Sequence, residues 1–385
     1  MKINCSMVAL MNSGYRLPTY AIYGVFWILF ADSISAQRVR DENLRCNSDA
    51  DIRAGLNEYP ELGGRLMTVK HEPGQVTEMM TPDDQEYVVA VSKEPEGKGR
   101  TSRLESGKYT IQQSWSQEKN AKRPFFVSVP RSQRNQPKRP VFIFLHGNGG
   151  NAQGAMNGFK RHRKRIVSQY IMVFPQGYRE SWNIVSERSK ADDLRFIESI
   201  VLKLAKFDNV DSKNFTIMGA SNGSAMVNQL AIESRLPNIR NYISGVSPLN
   251  VFQYDGGQFK AKGERNNYRV AMTPAKGKRL MNISGVRDRL VPYAGGESKV
   301  IPAKNGKLAF VAAEKSTFIW AKHFGYVGKQ LTKPTRTGEE VDVFSYLNGD
   351  VIHCKVKNEG HGATHGISED VLLKFLRADE TSGKK

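Results

Sequence analysis

A glycine-serine-glycine turn at residues 219–223 is the stretch of this sequence that most directly suggests chemistry. It reads Gly-Ala-Ser-Asn-Gly and follows the apolar run Phe215–Met218. The residues after it, 224–230, favour a helix, so the pattern predicts a strand, a sharp turn and a helix. The two glycines let the backbone turn tightly and leave the Ser221 hydroxyl exposed at a helix N-terminus. Ser221 is therefore the predicted nucleophile.

A nucleophilic serine needs hydrogen-bond donors for the oxyanion that its attack creates, and a second glycine-rich turn offers them. The apolar run 140–145 predicts a buried strand and continues as His-Gly-Asn-Gly-Gly-Asn over residues 146–151. The alternative is an ordinary strand-to-helix loop. We prefer the oxyanion interpretation because the turn lies upstream of the serine turn. His146 is expected to be structural, since the same loop must hold the substrate oxygen.

The acid and the base must follow Ser221 in that order if strands alternate with helices. Asp288 lies on the loop after a predicted strand at 279–284, where the acid belongs. An ion pair with a neighbouring arginine is the alternative role for this carboxylate. Asp255 is the second candidate acid, but it lies in a polar stretch and follows no clear strand.

The candidate base is a histidine in the loop after a predicted strand at 351–356, which reads Glu-Gly-His-Gly-Ala-Thr-His-Gly. An imidazole there can take the proton of Ser221 and return it to a leaving alcohol. His361, between two glycines, is preferred to His365. A metal site built on both histidines is the rival interpretation, but no cysteine or carboxylate cluster accompanies them. No metal and no cofactor is expected.

Alternating strands and helices must position these loops, which implies a mainly parallel central sheet with helices on both faces. Residues 249–278 are expected to form a polar insertion. An Asn-Gly pair between two strand patterns predicts a hairpin over 341–356. The other predicted strands are 109–111, 125–130, 170–175 and 242–246, and the predicted helices are 192–204, 226–232, 308–324 and 368–378.

The N-terminal stretch and the cysteines suggest an exported protein. Residues 1–36 combine basic residues, an apolar stretch of about 12 residues and small residues near Ala36, which favours a cleaved signal peptide and secretion. Residues 37–104 are predicted to be an N-terminal extension of unnamed role, and 105–385 the catalytic domain. Cys46 and Cys354 remain after cleavage and are expected to form a disulfide, with two free buried thiols as the alternative.

The chain is strongly basic, with a formal net charge of +19. The lysines and arginines concentrate near residues 119–123, 131–139 and 160–165. Such a surface attracts anionic polymers such as an acidic polysaccharide, whereas the alternative is a charged surface without a dedicated partner. No specific nucleic-acid partner is expected, because the basic runs lack interleaved aromatic residues. No membrane span is expected once the signal is removed.

Taken in order, these motifs resemble the secreted carboxylesterases grouped with polyhydroxybutyrate depolymerases, feruloyl esterases and acetyl xylan esterases. The resemblance covers roughly residues 107–378. The matching segments are Leu145-His146-Gly147, Ser181-Trp182-Asn183, Asp192-Asp193 with Phe196-Ile197, the turn 219–223, Asp288 with the run 291–296, and Gly360-His361.

The resemblance implies an α/β-hydrolase fold and a triad of Ser221, Asp288 and His361 acting on polymer-linked or short-chain esters. It also implies oxyanion donors at Asn148 and Asn222, and substrate contacts from Trp182 and Tyr293. Ser224 stands where the family has a further glycine, and Gly-Ala-Thr follows His361 where the family has a Trp-Pro pair. Those departures leave the substrate open. A non-catalytic module that binds an anionic polymer, and a peptidase of the same fold, are the alternative functions.

Overall fold

The computed structural model describes residues 102–131, 137–187 and 189–377. The predicted signal peptide and nearly all of the predicted extension, with Cys46, lie outside the described residues. The strands are β1 Gly107–Trp115, β2 Glu118–Ser128, β3 Arg139–Leu145, β4 Ile171–Pro175, β5 Val210–Ala220, β6 Ile239–Gly245, β7 Tyr254–Asp255, β8 Gln258–Lys260, β9 Ala271–Met272, β10 Arg279–Gly285, β11 Gly296–Ala303, β12 Gly306–Phe310, β13 Val341–Tyr346 and β14 Val351–Val356. The helices are α1 Ala152–His162, α2 Lys164–Gln169, α3 Asp193–Leu204, α4 Asn222–Glu233, α5 Ala313–His323, α6 Ala363–Gly366 and α7 Glu369–Leu376.

Nine of these strands form one sheet in the order β1-β2-β4-β3-β5-β6-β10-β14-β13. The six strands from β4 to β14 run parallel, and antiparallel pairs close both edges. Parallel strands must be covered on both faces, which is why β4 and residues 141–145 of β3 read as unbroken apolar runs. The carboxyl ends of β5, β10 and β14 therefore lie along the same edge of the sheet.

The core divides into two layers, one on each face of the sheet. Phe142 and Phe144 of β3 pack in one layer with Phe159 of α1. The alternate residues of the strand, Ile143 and Leu145, pack in the other layer with side chains of α3. Helices thus cover both faces, and the predicted α/β-hydrolase architecture is confirmed.

The hairpin predicted over 341–356 is confirmed, because β13 and β14 pair antiparallel. The turn between them has positive φ angles at Leu347, Asn348 and Gly349, of 51°, 55° and 100°. Such angles are least costly for glycine and asparagine, which explains why the Asn-Gly pair was informative.

The helix predicted over 308–324 is wrong in its first part. Leu308 and Phe310 belong to strand β12, where alternate side chains are buried, and the helix begins only at Ala313. The β11–β12 hairpin was not predicted. The polar stretch 249–278 contains a small three-stranded sheet of β7, β8 and β9. Its strands of two or three residues are too short to show a hydrophobic period.

Cys354 lies in β14 with its side chain fully buried. Burial raises the pKa of its thiol to about 12, so the thiolate is disfavoured at neutral pH. Cys354 is bonded to no other cysteine among the described residues. The bridge to Cys46 stays a prediction, because that partner lies outside them.

Candidate active site

Ser221 occupies a strained turn between β5 and α4. Its backbone angles are φ 55° and ψ −118°, a conformation that costs a non-glycine residue about 1–3 kcal/mol. The flanking glycines are required by close backbone packing. A Cβ atom at Gly219 would lie 2.3 Å from the carbonyl oxygen of Gly223, and one at Gly223 would lie 2.3 Å from that of Leu145. Both glycines of the turn are therefore needed, because a larger residue at either position would clash with the backbone.

The structure brings the three predicted triad residues into one hydrogen-bonded chain. The Nε2 atom of His361 lies 2.8 Å from Oγ of Ser221, and its Nδ1 atom lies 2.7 Å from Oδ2 of Asp288. An ionised carboxylate can only accept, so Nδ1 carries the proton and Nε2 offers its lone pair to the serine hydroxyl. This tautomer is the one a general base requires.

The acid is held by more than the histidine. Oδ1 of Asp288 accepts hydrogen bonds from the backbone N–H groups of Leu290 and Val291 at 2.8 and 2.9 Å. The side chain is only 3% exposed, whereas that of His361 is 25% exposed. The carboxylate is thus fixed inside the protein while the imidazole reaches the open side of the site.

The acid loop and the histidine loop touch through their backbones. The N–H of Arg287 donates to the carbonyl of Glu359 at 2.9 Å. A Cβ atom at Gly285 would lie 2.2 Å from the carbonyl oxygen of Gly360. The two competing candidates lie elsewhere, since Asp255 is exposed on β7 and His365 is exposed on α6.

The predicted oxyanion turn lies beside the nucleophile. A Cβ atom at Gly147 would be 3.5 Å from Cβ of Ser221. The N–H groups of Gly149 and Gly150 are bonded to the carbonyls of Glu180 and Gly147. This leaves the earlier part of the turn, which includes Asn148, for an oxyanion. Asn222, the other predicted donor, is the first residue of α4.

His146 supports that turn and is not part of the triad. It is 4% exposed, and burial lowers its pKa, so the neutral ring is favoured. Its Nδ1 atom lies 2.8 Å from the carbonyl of Gly147, and its Nε2 atom accepts from the N–H of Gly177 at 3.0 Å. The structural role expected for this histidine agrees with both contacts.

Trp182 and Tyr293, the expected substrate contacts, have internal partners. Trp182 is fully buried, and its indole N–H donates to the carbonyl of His146 at 2.8 Å. It therefore supports the oxyanion turn and has no surface to offer a substrate. The hydroxyl of Tyr293 lies 2.8 Å from both Oε1 of Glu314 and Nε2 of His353. That hydroxyl anchors the acid loop, and substrate contact by the tyrosine ring stays a prediction.

A buried ion pair behind the site was not predicted from the sequence. Arg123 of β2 donates to Oδ1 of Asp193 at 2.5 Å, and both side chains are at most 2% exposed. Oδ2 of Asp193 accepts from the N–H of Asn183 at 2.6 Å. The guanidinium lies 4.0 Å from the ring centroid of Phe196. The hydrogen bond between Asn183 and Asp193 thus joins the Trp-Asn pair to the Asp-Asp pair.

Replacing Asp193 by alanine should destabilise the protein by about 3–5 kcal/mol, because Arg123 would be left buried without its partner. Urea unfolding followed by tryptophan fluorescence measures the change. The matched control is Asp370→Ala, which breaks the exposed pair with Arg165 and should cost at most about 1 kcal/mol. Equal losses in the two variants would contradict the assignment.

The described residues contain neither a cluster suited to a metal ion nor a helix suited to a membrane. Within them, no three histidine, cysteine, aspartate or glutamate side chains are grouped so as to hold a metal ion. No helix among the described residues has the length and apolar character that crossing a membrane needs.

Comparison with known proteins gives one informative sequence relative. No family model matches the chain. Feruloyl esterase B of Piromyces equi is 24% identical over 264 residues, which is 66% of this chain and 45% of the relative. The chain thus spans less than half the length of that curated relative.

Solved structures similar to the chain include an acetyl xylan esterase from Aspergillus awamori, with a TM-score of 0.47 and 13% identity over 70% of this chain and 98% of that one. Thermogutta terrifontis esterase 2 phosphorylated by paraoxon gives a TM-score of 0.41 and 14% identity, covering 71% of this chain and 92% of that one. These likenesses are modest. The sheet order and the strand-turn-helix elbow of the chain itself show that it has the α/β-hydrolase fold.

Proposed function

We propose that the chain is a serine carboxylesterase. The observation that carries this proposal is the chain of hydrogen bonds from Asp288 through His361 to Ser221, with the serine on a strained turn at a helix N-terminus. Three loops far apart in sequence supply these groups. The sequence similarity to a feruloyl esterase supports an ester as the substrate.

In the proposed reaction, Oγ of Ser221 attacks the ester carbonyl while Nε2 of His361 takes the hydroxyl proton. Backbone N–H groups of Asn222 and of the turn at Asn148 stabilise the oxyanion. The tetrahedral intermediate collapses, and His361 returns the proton to the departing alcohol. His361 then takes a proton from water, which attacks the acyl-enzyme. The second tetrahedral intermediate collapses, His361 returns the proton to Oγ of Ser221, and the acid is released. Asp288 holds the Nδ1–H tautomer and stabilises the imidazolium.

We further propose that the substrate is a polymer-linked or short-chain acyl ester, as the resemblance to feruloyl and acetyl xylan esterases and polyhydroxybutyrate depolymerases implies. Secretion by the predicted signal peptide fits that choice, since cell-wall and polyester substrates are extracellular.

A second candidate function is attachment to an anionic polymer. The observation that favours it is the segment 160–165, in which five of six basic side chains are exposed and only Arg163 turns inward. The inward guanidinium donates to the carbonyl of His365 at 2.8 Å. Apart from Arg165, which pairs with Asp370, these exposed charges can meet an acidic polysaccharide.

Active-site labelling tests the esterase proposal. A fluorophosphonate probe should attach once per chain, at Ser221, as located by peptide mass spectrometry. The protein should also hydrolyse members of a panel of p-nitrophenyl acetate and butyrate, feruloyl and hydroxybutyrate esters. Retention on heparin without labelling and without hydrolysis would instead support the non-catalytic binding function.

A further inference from the structure

We propose that Glu187 and the side chain of Asn222 form a clamp that sets the geometry of the oxyanion hole. Glu187 is a positioning residue in this proposal, which rests on the proposed esterase function. Neither Glu187 nor the amide side chain of Asn222 takes part in the chemical steps given above. Their contacts hold the segment 181–187, which reaches the other oxyanion turn through Trp182.

The amide of Asn222 uses its full hydrogen-bonding capacity. Its Oδ1 atom accepts from the N–H of Trp182 at 2.7 Å and from Oγ of Ser181 at 3.2 Å. Its Nδ2 group donates to the carbonyl of Trp182 and to Oε1 of Glu187, both at 3.0 Å. A primary amide offers two acceptor sites and two donors, and all four are occupied here. The first residue of α4 is therefore fixed to the segment 181–187.

Glu187 holds the other side of this arrangement. Its Oε2 atom accepts from the N–H groups of Ile184 and Val185 at 2.8 and 2.6 Å. Burial raises the pKa of Glu187, an effect that these backbone hydrogen bonds oppose. A carboxylate that is costly to keep ionised thus contacts Asn222, the residue next to the nucleophile. Its two oxygen atoms accept three N–H groups, and a glutamine, whose amide has a single oxygen, cannot accept all three in this arrangement.

The same segment also reaches the other oxyanion turn. The indole of Trp182 donates to the carbonyl of His146, and the carbonyl of Glu180 accepts from the N–H of Gly149. Residues 180–187 therefore bridge the two turns whose N–H groups must converge on one oxygen atom. A displacement of about 1 Å in such a site can cost about 100-fold in rate. The surrounding contacts must also hold the backbone of Ser221 at its strained, positive φ angle.

Glu187→Gln keeps the size of the side chain and breaks the clamp. If the glutamine oxygen faces the N–H groups of Ile184 and Val185, the glutamine NH₂ group faces the NH₂ group of Asn222, and two donors oppose each other. If the glutamine amide is turned round, its NH₂ group opposes the two backbone N–H groups instead. We expect kcat for p-nitrophenyl acetate to fall about 10- to 100-fold with KM within about twofold, because the oxyanion contact forms only in the transition state. Inhibition by a trifluoromethyl ketone, whose adduct carries the oxyanion, should weaken by a similar factor.

Two further variants ensure that the test does not depend on Glu187→Gln alone. Asn222→Asp should cause a comparable loss, because it sets two carboxylates against each other. Combined with Glu187→Gln it should recover part of the activity, since a glutamine amide can donate to an aspartate. Glu339→Gln is the matched control. It makes the same chemical change at an exposed residue outside the segment 180–187, so kcat should be unchanged.

Three results would overturn the clamp. They are a normal kcat in Glu187→Gln, a fall in kcat without weaker ketone inhibition, and losses that simply multiply in the double variant. Should Glu187→Gln fail to fold, Asn222→Asp still answers the first two questions. Failure of the esterase proposal would look different, because the unmodified protein would then neither hydrolyse the ester nor react with a fluorophosphonate.

Discussion

Replacing Ser221 with alanine should lower kcat for p-nitrophenyl acetate by a factor on the order of 10⁵ to 10⁶, because the attacking oxygen is removed and His361 and Asp288 act only through it. Fluorophosphonate labelling should disappear completely. The fold should persist, since the replaced hydroxyl bonds only to Nε2 of His361 among the described contacts. Steady-state hydrolysis and intact-protein mass spectrometry make the two measurements.

Ser224→Ala is the appropriate control for this experiment. Ser224 lies three residues after Ser221 and is fully buried, and its hydroxyl donates to the carbonyl of Ser247 at 3.0 Å. Its loss should cost about 1 kcal/mol of stability and leave labelling intact. Hydrolysis at the wild-type rate in Ser221→Ala, or loss of labelling only in Ser224→Ala, would refute the assignment of the nucleophile.

The three site loops were predictable because each follows a predicted strand of the parallel sheet. The carboxyl ends of parallel strands share one edge of a sheet, so the order serine, acid, histidine was enough to place Ser221, Asp288 and His361 together. The glycines added a second signal. Gly219, Gly223 and Gly285 stand where the backbones meet too closely for a larger residue.

Contacts that depend on tertiary packing gave no comparable signal. Nothing in the local sequence pairs Glu187 with Asn222, or Arg123 with Asp193 seventy residues away. The β11–β12 hairpin was missed because its residues are largely exposed and Leu308 also fits a helical period. The substrate contact expected of Trp182 rested on the resemblance to the carboxylesterases alone. Its burial depends on the turn at His146, which local sequence does not reveal.

Such supporting contacts matter because the hydrogen bonds of the triad do not by themselves hold Ser221, His361 and Asp288 at the required distances. His361 is partly exposed, and its loop contains few apolar anchors. Its position depends on Asp288 on one side and on backbone contacts with the acid loop on the other. The acid therefore carries two tasks, and a substitution that preserves one while removing the other can separate them.

Asp288→Asn should lower kcat by about 10⁴-fold while leaving the fold intact. The asparagine oxygen can still accept from the N–H groups of Leu290 and Val291, which keeps the loop in place. Its amino group then faces Nδ1 of His361 and donates to it, so the imidazole proton moves to Nε2. A protonated Nε2 cannot accept the proton of Ser221, and the general base is lost although all its atoms remain in place.

The expected signature of Asp288→Asn is a large fall in kcat with an unchanged melting temperature. Asp255→Asn provides the comparison, because Asp255 is the other acid that the sequence offered and it lies exposed on β7. Its replacement should change kcat by less than about twofold. The result that would contradict the assignment is a large loss in Asp255→Asn with near-normal turnover in Asp288→Asn. In that case the hydrogen bond from His361 to Asp288 would be structural, and the base would need another partner to set its tautomer.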